Sequence, residues 1–113
     1  MSWIYKILPS ADWRRAQAAG VFEGSPLDLQ DGYIHTSTAA QAQETARRHF
    51  AGQEGLVVLA IDPADLGEAL RWEPSRGGDL FPHIYGPLPT RLVKAVTAAP
   101  LDAHGVPVLG DLA

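Results

Sequence analysis

The polar side chains best suited to chemistry fall in two segments, residues 31–37 and 72–86. In the first segment His35 precedes Thr36 and Ser37, and strand alternation would place His35 and Ser37 on one face. Histidine is the commonest general acid or base, and ligands are often held where a strand ends before a helix. We predict a site role for His35, with Thr36 and Ser37 as binding residues. The alternative is that the hydroxyls only cap the next helix and His35 is a core histidine.

The second segment surrounds two adjacent glycines with charged, hydroxyl and aromatic residues. Gly77 and Gly78 permit a close approach of the backbone to a ligand, and with Arg76 they are typical of a loop that accepts an anion. Further candidates are catalytic residues Glu73 and His83 and binding aromatics Phe81 and Tyr85. The alternative is a wide turn shaped by its prolines and glycines, with the aromatic residues in the core.

Other chemistries find little support in the sequence. The chain has no cysteine, so it has no thiolate nucleophile, no disulfide and no cysteine-based zinc site. No serine stands in a Gly-x-Ser-x-Gly context, which argues against a serine hydrolase. A zinc site built from His35, His49 and His83 would lack any local spacing motif, so we predict no metal site.

Composition limits the architecture and the class of partner. The chain has 113 residues, of which 46% are hydrophobic, enough for one core and a single domain spanning residues 1–113. Its net charge of -4 and its scattered basic residues argue against DNA as a partner. The first ten residues become polar too soon for a signal peptide, and no apolar run is long enough to span a membrane. We expect a cytoplasmic protein with no membrane partner.

The elements before the first segment are predicted from periodicity and turn signals. Residues 3–8 are aromatic and β-branched, interrupted by Lys6, and predict a first strand. Ser10 then opens an amphipathic helix that ends at Gly20. Residues 21–32 are so rich in turn formers that we predict an irregular loop.

The elements around the site alternate between strands and helices. Residues 33–35 predict a short strand, and Thr38 and Gln41 have the spacing of a capping box that opens a second helix. That helix places its apolar residues on one face: Ala39, Ala42, Ala46 and Phe50. The apolar run at 56–61 predicts a central buried strand. Later segments are an extended stretch at 70–73, a loop at 74–79, a strand at 80–85 broken at Pro82, a final strand at 92–98 and a turn at His104.

These strings resemble, over nearly the whole chain, a family of small bacterial proteins known as domain of unknown function 952. The resemblance rests on residues 4–7, on Gly24-Ser25, on residues 31–38, on Trp72-Glu73 and on the block 75–88. It implies an α+β fold of the ADP-ribosyltransferase type. Such a fold is a bent, split β-structure with two main helices at its side, and it forms a cleft for an extended dinucleotide.

The resemblance also implies a function. In ADP-ribosyltransferases an early-strand His or Arg binds the adenosine end and ribose of NAD, an aromatic residue stacks nicotinamide, and a late Glu stabilises the cationic transition state. His35 matches the early-strand position, and Phe81 or Tyr85 could supply the aromatic face. The implied activity is glycosyl or ADP-ribosyl transfer with NAD as a possible substrate, in which His35 holds ribose, Arg76 pairs phosphate, and Glu73 or His83 polarises the reacting group.

Two alternatives to an enzyme follow from the same residues. No Glu follows Glu73, so the late glutamate of the fold is missing, and this favours a non-catalytic module that binds a nucleotide or phosphorylated metabolite. In the second alternative the protein is a structural or interaction domain, and His35, Arg76 and His83 form a buried hydrogen-bond network.

Overall fold

The first strand and helix form where the sequence predicts them. The computed structural model describes residues 2–112, with the side chain of Arg76 outside the described part. Strand β1 (Ile4–Pro9) leads directly into helix α1 (Ser10–Ala19). The helix ends at Gly20, whose φ of 82° is a left-handed conformation that glycine adopts without strain. Trp13 and Ala16 are the buried residues of this helix.

The prediction of an irregular loop over residues 21–32 is wrong. This stretch holds strand β2 (Val21–Phe22) and helix α2 (Pro26–Asp31). The Asp28 carboxylate accepts a hydrogen bond from the backbone N–H of Ser25, the residue before the helix. The turn-forming residues thus act as start and stop signals of a short helix, which composition alone cannot distinguish from a loop.

The chain changes sheets at Thr36. Strand β3 (Ile34–His35) belongs to a three-stranded sheet, whereas strand β4 (Ser37–Thr38) belongs to a four-stranded sheet. The prediction that His35 and Ser37 lie on one face of one strand is therefore wrong. Helix α3 (Ala39–His49) follows, and the predicted capping box is present in hydrogen bonds that run both ways between Thr38 and Gln41.

The four-stranded sheet is antiparallel, with the order β4-β1-β5-β9. Strand β5 (Leu56–Ile61) lies between β1 and β9 (Val93–Ala98), so the predicted central strand is confirmed. Alternate residues of β1 and β5 pack on opposite faces, one cluster with α1 and the other with α3. The predicted apolar face of α3 is also confirmed, with Ala42 and Ala46 fully buried.

The three-stranded sheet has the order β3-β7-β6, formed by β7 (Leu80–Ile84) and β6 (Leu70–Pro74). Pro82 does not break β7, contrary to the prediction. The Pro82 carbonyl oxygen accepts a hydrogen bond of 3.3 Å from the Thr36 N–H, so it points toward the β3 side of the strand. The backbone nitrogen and carbonyl of one residue point to the same side in an antiparallel strand, so the Pro82 nitrogen, which carries no hydrogen, also faces that side. Strand β3 has already ended there, and the pairing with β6 loses no hydrogen bond.

The remaining elements complete an α+β arrangement with three helices and several antiparallel sheets. Strand β8 (Leu88–Pro89) pairs with β2, and residues 76–78 form a short 3-10 turn inside the predicted loop. Helices α1 and α3 are the two longest, as predicted. His104 lies in a turn between the bridged residues Leu101 and Pro107. Within residues 2–112 every helix is too short or too polar to cross a bilayer.

Candidate functional site

A cavity of about 500 Å³ opens along the edge of β1. Strand β4 is only two residues long and pairs with Ile4 and Tyr5, so it leaves the rest of this edge without a strand neighbour. Lys6 and Ile7, just past the end of that pairing, line the cavity. Its volume lies within the range typical of small-molecule sites.

The structure brings the two predicted segments together at this cavity. Its walls include five of the predicted site residues: His35, Thr36, Ser37, Phe81 and His83. His35 and His83 are directly opposite each other in the antiparallel pairing of β3 with β7. Their ring centroids are 5.8 Å apart, although 48 positions separate them in the sequence.

Four other predicted residues do not line the cavity: Glu73, Gly77, Gly78 and Tyr85. Gly77 and Gly78 have φ values of 69° and 85° and shape the turn before β7. Tyr85 donates a hydrogen bond of 2.8 Å to Oε1 of Glu73, and the same oxygen lies 2.8 Å from Nδ1 of His83. The predicted anion-binding role of Arg76 falls on a side chain outside the described part.

Glu73 therefore lies outside the cavity wall and contacts it through the wall residue His83. The hydrogen bonds from His83 and Tyr85 hold the pKa of the Glu73 carboxyl below its usual value and outweigh the opposing effect of desolvation. The Arg71 guanidinium lies 4.8 Å from the Tyr85 ring centre and adds a nearby positive charge. Glu73 is thus an ionised carboxylate that fixes the orientation of His83.

Asp28 is the principal buried charge of the site, and sequence reasoning missed it. Its side chain is 2% exposed, and its carboxylate lies 2.7 Å from Nζ of Lys6 and 2.6 Å from Nδ1 of His35. The backbone N–H groups of Ser25 and His35 also donate to it, at 2.8 and 3.0 Å. Burial alone would raise the pKa of Asp28, but the bonds from His35 and the charge of Lys6 prevail and lower it to about 2.

Lys6 is the second residue that sequence reasoning missed. It is buried in β1, and this burial lowers the pKa of its ammonium group while the Asp28 carboxylate opposes the fall. The available signal was a lysine that interrupts an apolar strand, since an unpaired charge is not tolerated at such a position. Its partner is 22 residues away, and no spacing rule links the two.

His35 is engaged at both ring nitrogens. Nδ1 faces Asp28, and Nε2 lies 2.9 Å from Oδ2 of Asp31, an exposed residue at the end of α2. Neutral imidazole has one N–H, so both nitrogens can donate to these carboxylates at once only when the ring is protonated. His35 thus connects β3 to α2, and a ligand that needs its Nε2 must compete with Asp31.

Tyr33, also missed by sequence reasoning, covers the two histidines. Its ring stacks on His83 at 4.0 Å and lies 4.6 Å from the His35 ring. Desolvation raises the pKa of Tyr33, and the negative charges of Asp31 and Glu73 raise it further. The stacking restricts the His83 ring, which Glu73 already holds at one nitrogen.

The rest of the cavity is largely apolar and aromatic. Its walls also include Tyr5, Pro26, Leu27 and Phe50. His49, an exposed residue at the end of α3, joins them, although sequence reasoning gave it no role. Across the described residues we find no group of three His, Asp or Glu side chains suited to a metal ion.

A family model matches this chain over residues 7–96, and its description is protein of unknown function (DUF952). The chain belongs to this family. The first part of the predicted resemblance is thereby confirmed. No curated protein is significantly similar to this DUF952 chain in sequence.

Three solved structures resemble this DUF952 protein closely. The crystal structure of protein CC0527 from Caulobacter crescentus has a TM-score of 0.94 and 55% identity, with 96% of each chain covered. A double mutant of CC0527 has the same TM-score and coverage at 54% identity. The solution NMR structure of CC0527 has a TM-score of 0.87 and 55% identity, covering 96% of this chain and 94% of the other. The fold is therefore shared with an experimentally determined relative.

Proposed function

We propose that this DUF952 protein binds a nucleotide or a phosphorylated ribose in the cavity. The observation that carries the proposal is that Lys6, His35 and Ser37 line the same cavity as the aromatic residues Phe50 and Phe81. Cationic and hydroxyl groups suit phosphate and ribose, and aromatic rings suit a base. The resemblance to the ADP-ribosyltransferase type of fold, whose cleft takes a dinucleotide, supports the same ligand class.

The buried carboxylate of Asp28 fixes the positions of the basic side chains at the site. Asp28 holds both Lys6 and His35 in place, so a phosphate would meet side chains whose geometry is already fixed. Such preorganisation lowers the ordering cost of binding. A cavity of about 500 Å³ suits a ligand of mononucleotide size, and a dinucleotide would extend beyond its opening.

Calorimetric titration with AMP, ADP-ribose and NAD tests this proposal. We expect saturable heat with at least one of these ligands. AMP, the mononucleotide, should be recovered unchanged after the titration. His35→Gln should weaken binding by at least about tenfold, whereas His104→Gln, at an exposed turn, should bind like the wild type. Absence of heat with all three ligands, or equal binding by folded His35→Gln, would show that the cavity is not this site.

A second candidate function is glycosyl or ADP-ribosyl transfer from NAD, and the observation that favours it is the fixed, ionised Glu73 behind His83. Glu73 lies outside the cavity wall and contacts the wall residue His83, so its negative charge would act on a developing ribosyl cation through that ring. Nicotinamide release from NAD measures this activity. We expect Glu73→Gln to abolish release and Glu54→Gln, at an exposed position, to preserve it. Wild-type protein that releases no nicotinamide contradicts this candidate.

A further inference from the structure

We infer that the cavity hydrolyses a strained phosphate diester of ribose, a nucleoside 2′,3′-cyclic phosphate, with His83 as the general base. The inference rests on the proposed function, because a ribose phosphate must first enter the cavity. It differs from NAD chemistry in the bond that is broken, which is a P–O bond and not a glycosidic bond.

The geometry of His83 is that of a general base. Oε1 of Glu73, a residue outside the cavity wall, lies 2.8 Å from Nδ1 of His83. Nε2 is therefore the nitrogen left for a ligand. A carboxylate at Nδ1 fixes the tautomer that leaves a lone pair on Nε2, and it stabilises the imidazolium formed when that nitrogen takes a proton. The His83 side chain is only 4% exposed, and Tyr33 stacks on it, so the ring has little freedom to turn away.

A second imidazole and a lysine share the cavity with this base. The His35 ring, which lies between two carboxylates, has its centroid 5.8 Å from that of His83, and Lys6 lines the same cavity. A base that shares a cavity with an ammonium group suits attack at phosphorus, because the negative charge of the transition state is spread over the phosphoryl oxygens. A five-membered cyclic diester gains further driving force from the release of ring strain.

The step consumes one water molecule and needs no other reactant. The water oxygen forms a bond to phosphorus while His83 Nε2 takes its proton, and the bond from phosphorus to one ribose oxygen breaks. The leaving oxygen takes a proton from Nε2 of His35 in its protonated form, after the exposed Asp31 has turned to solvent and left that nitrogen. The product is a nucleoside monophosphate, and proton exchange with solvent restores both imidazoles.

Phosphorus NMR of 2′,3′-cyclic AMP incubated with the full chain measures the reaction. We expect conversion to a monophosphate, a loss of at least about 100-fold in rate in His83→Ala, and an unchanged rate in His104→Ala. His83→Asn, which keeps a hydrogen-bond donor for Glu73, provides a second variant should the alanine variant not fold. Glu73 is a positioning residue, so Glu73→Gln should lower kcat more than it changes KM.

The outcomes separate this inference from the proposed function. If AMP binds with saturable heat but 2′,3′-cyclic AMP stays intact, the hydrolysis is refuted and the binding function stands. If neither AMP nor 2′,3′-cyclic AMP binds, the hydrolysis and the binding function fail together. Hydrolysis at the wild-type rate by folded His83→Asn would overturn the assignment of the base.

Discussion

Replacing Asp28 by Asn should be the most damaging single change at this site. The carboxylate is buried and is contacted by the Lys6 ammonium, the His35 ring and two backbone N–H groups. Asparagine keeps the shape and one acceptor oxygen but removes the charge. The Lys6 ammonium would then be buried without a counter-charge, which typically costs about 3–5 kcal/mol in the free energy of unfolding.

The pH dependence of this effect follows from the pKa of Asp28. Folding lowers that pKa from the ordinary value of 3.8 to about 2, which corresponds to roughly 2 kcal/mol. Since the folded-state pKa is the lower one, this stabilisation is fully present above pH 4 and is lost as the pH falls toward 2. The difference between wild type and Asp28→Asn should therefore be largest near pH 7 and shrink as the wild-type carboxylate becomes protonated.

Urea denaturation at several pH values between 2 and 7 measures both effects. Asp111→Asn, an exposed substitution of the same chemistry, is the matched control and should change the free energy of unfolding by less than about 0.5 kcal/mol. The double variant Lys6→Met with Asp28→Asn should recover part of the loss, because the unpaired ammonium is gone. A difference between wild type and Asp28→Asn that stays constant from pH 7 to pH 2 would refute the electrostatic account.

Three further substitutions test contacts that position the site, each measured as the change in the free energy of unfolding at pH 7. Gly24→Ala should cost more than about 1 kcal/mol, because φ is 130° and a Cβ would lie 2.9 Å from that of Asp28. Thr38→Ala should cost about 1 kcal/mol through loss of the N-cap of α3. Thr36→Val should cost about 1 kcal/mol, since the 2.6 Å hydrogen bond to the Pro82 carbonyl is lost. A change within about 0.5 kcal/mol would contradict the contact concerned.

Local signals predicted the elements that frame the site. The apolar run of β5, the capping box at Thr38 and the terminal Gly20 each depend on neighbours in sequence, and all three appear as predicted. The failures have a common physical cause. Helix α2 and the unbroken β7 depend on what a segment meets in three dimensions, and turn formers or a proline in isolation do not reveal it.

The same distinction separates the parts of the site that could be predicted from those that could not. His35 and His83 stand out by residue type, and so could be named from the sequence. Their carboxylate partners could be named only in part, because Asp28 in α2 reads as a turn residue until the helix places it beside Lys6 and His35. The pairing of Lys6 with Asp28 across 22 residues depends on the tertiary packing that brings α2 to β1 and not on any motif.

His35 and His83 have the same side chain, but their ring nitrogens face different partners. His35 faces carboxylates at both nitrogens, so its first role is to hold α2 against β3. His83 faces one carboxylate, at Nδ1, and lines the cavity. Sequence reasoning assigned ribose binding to His35 on the strength of its position, whereas the proposed hydrolysis uses His83 as the base and His35 as the acid. Two imidazoles whose nitrogens face different partners can take different parts in acid–base chemistry at one ligand.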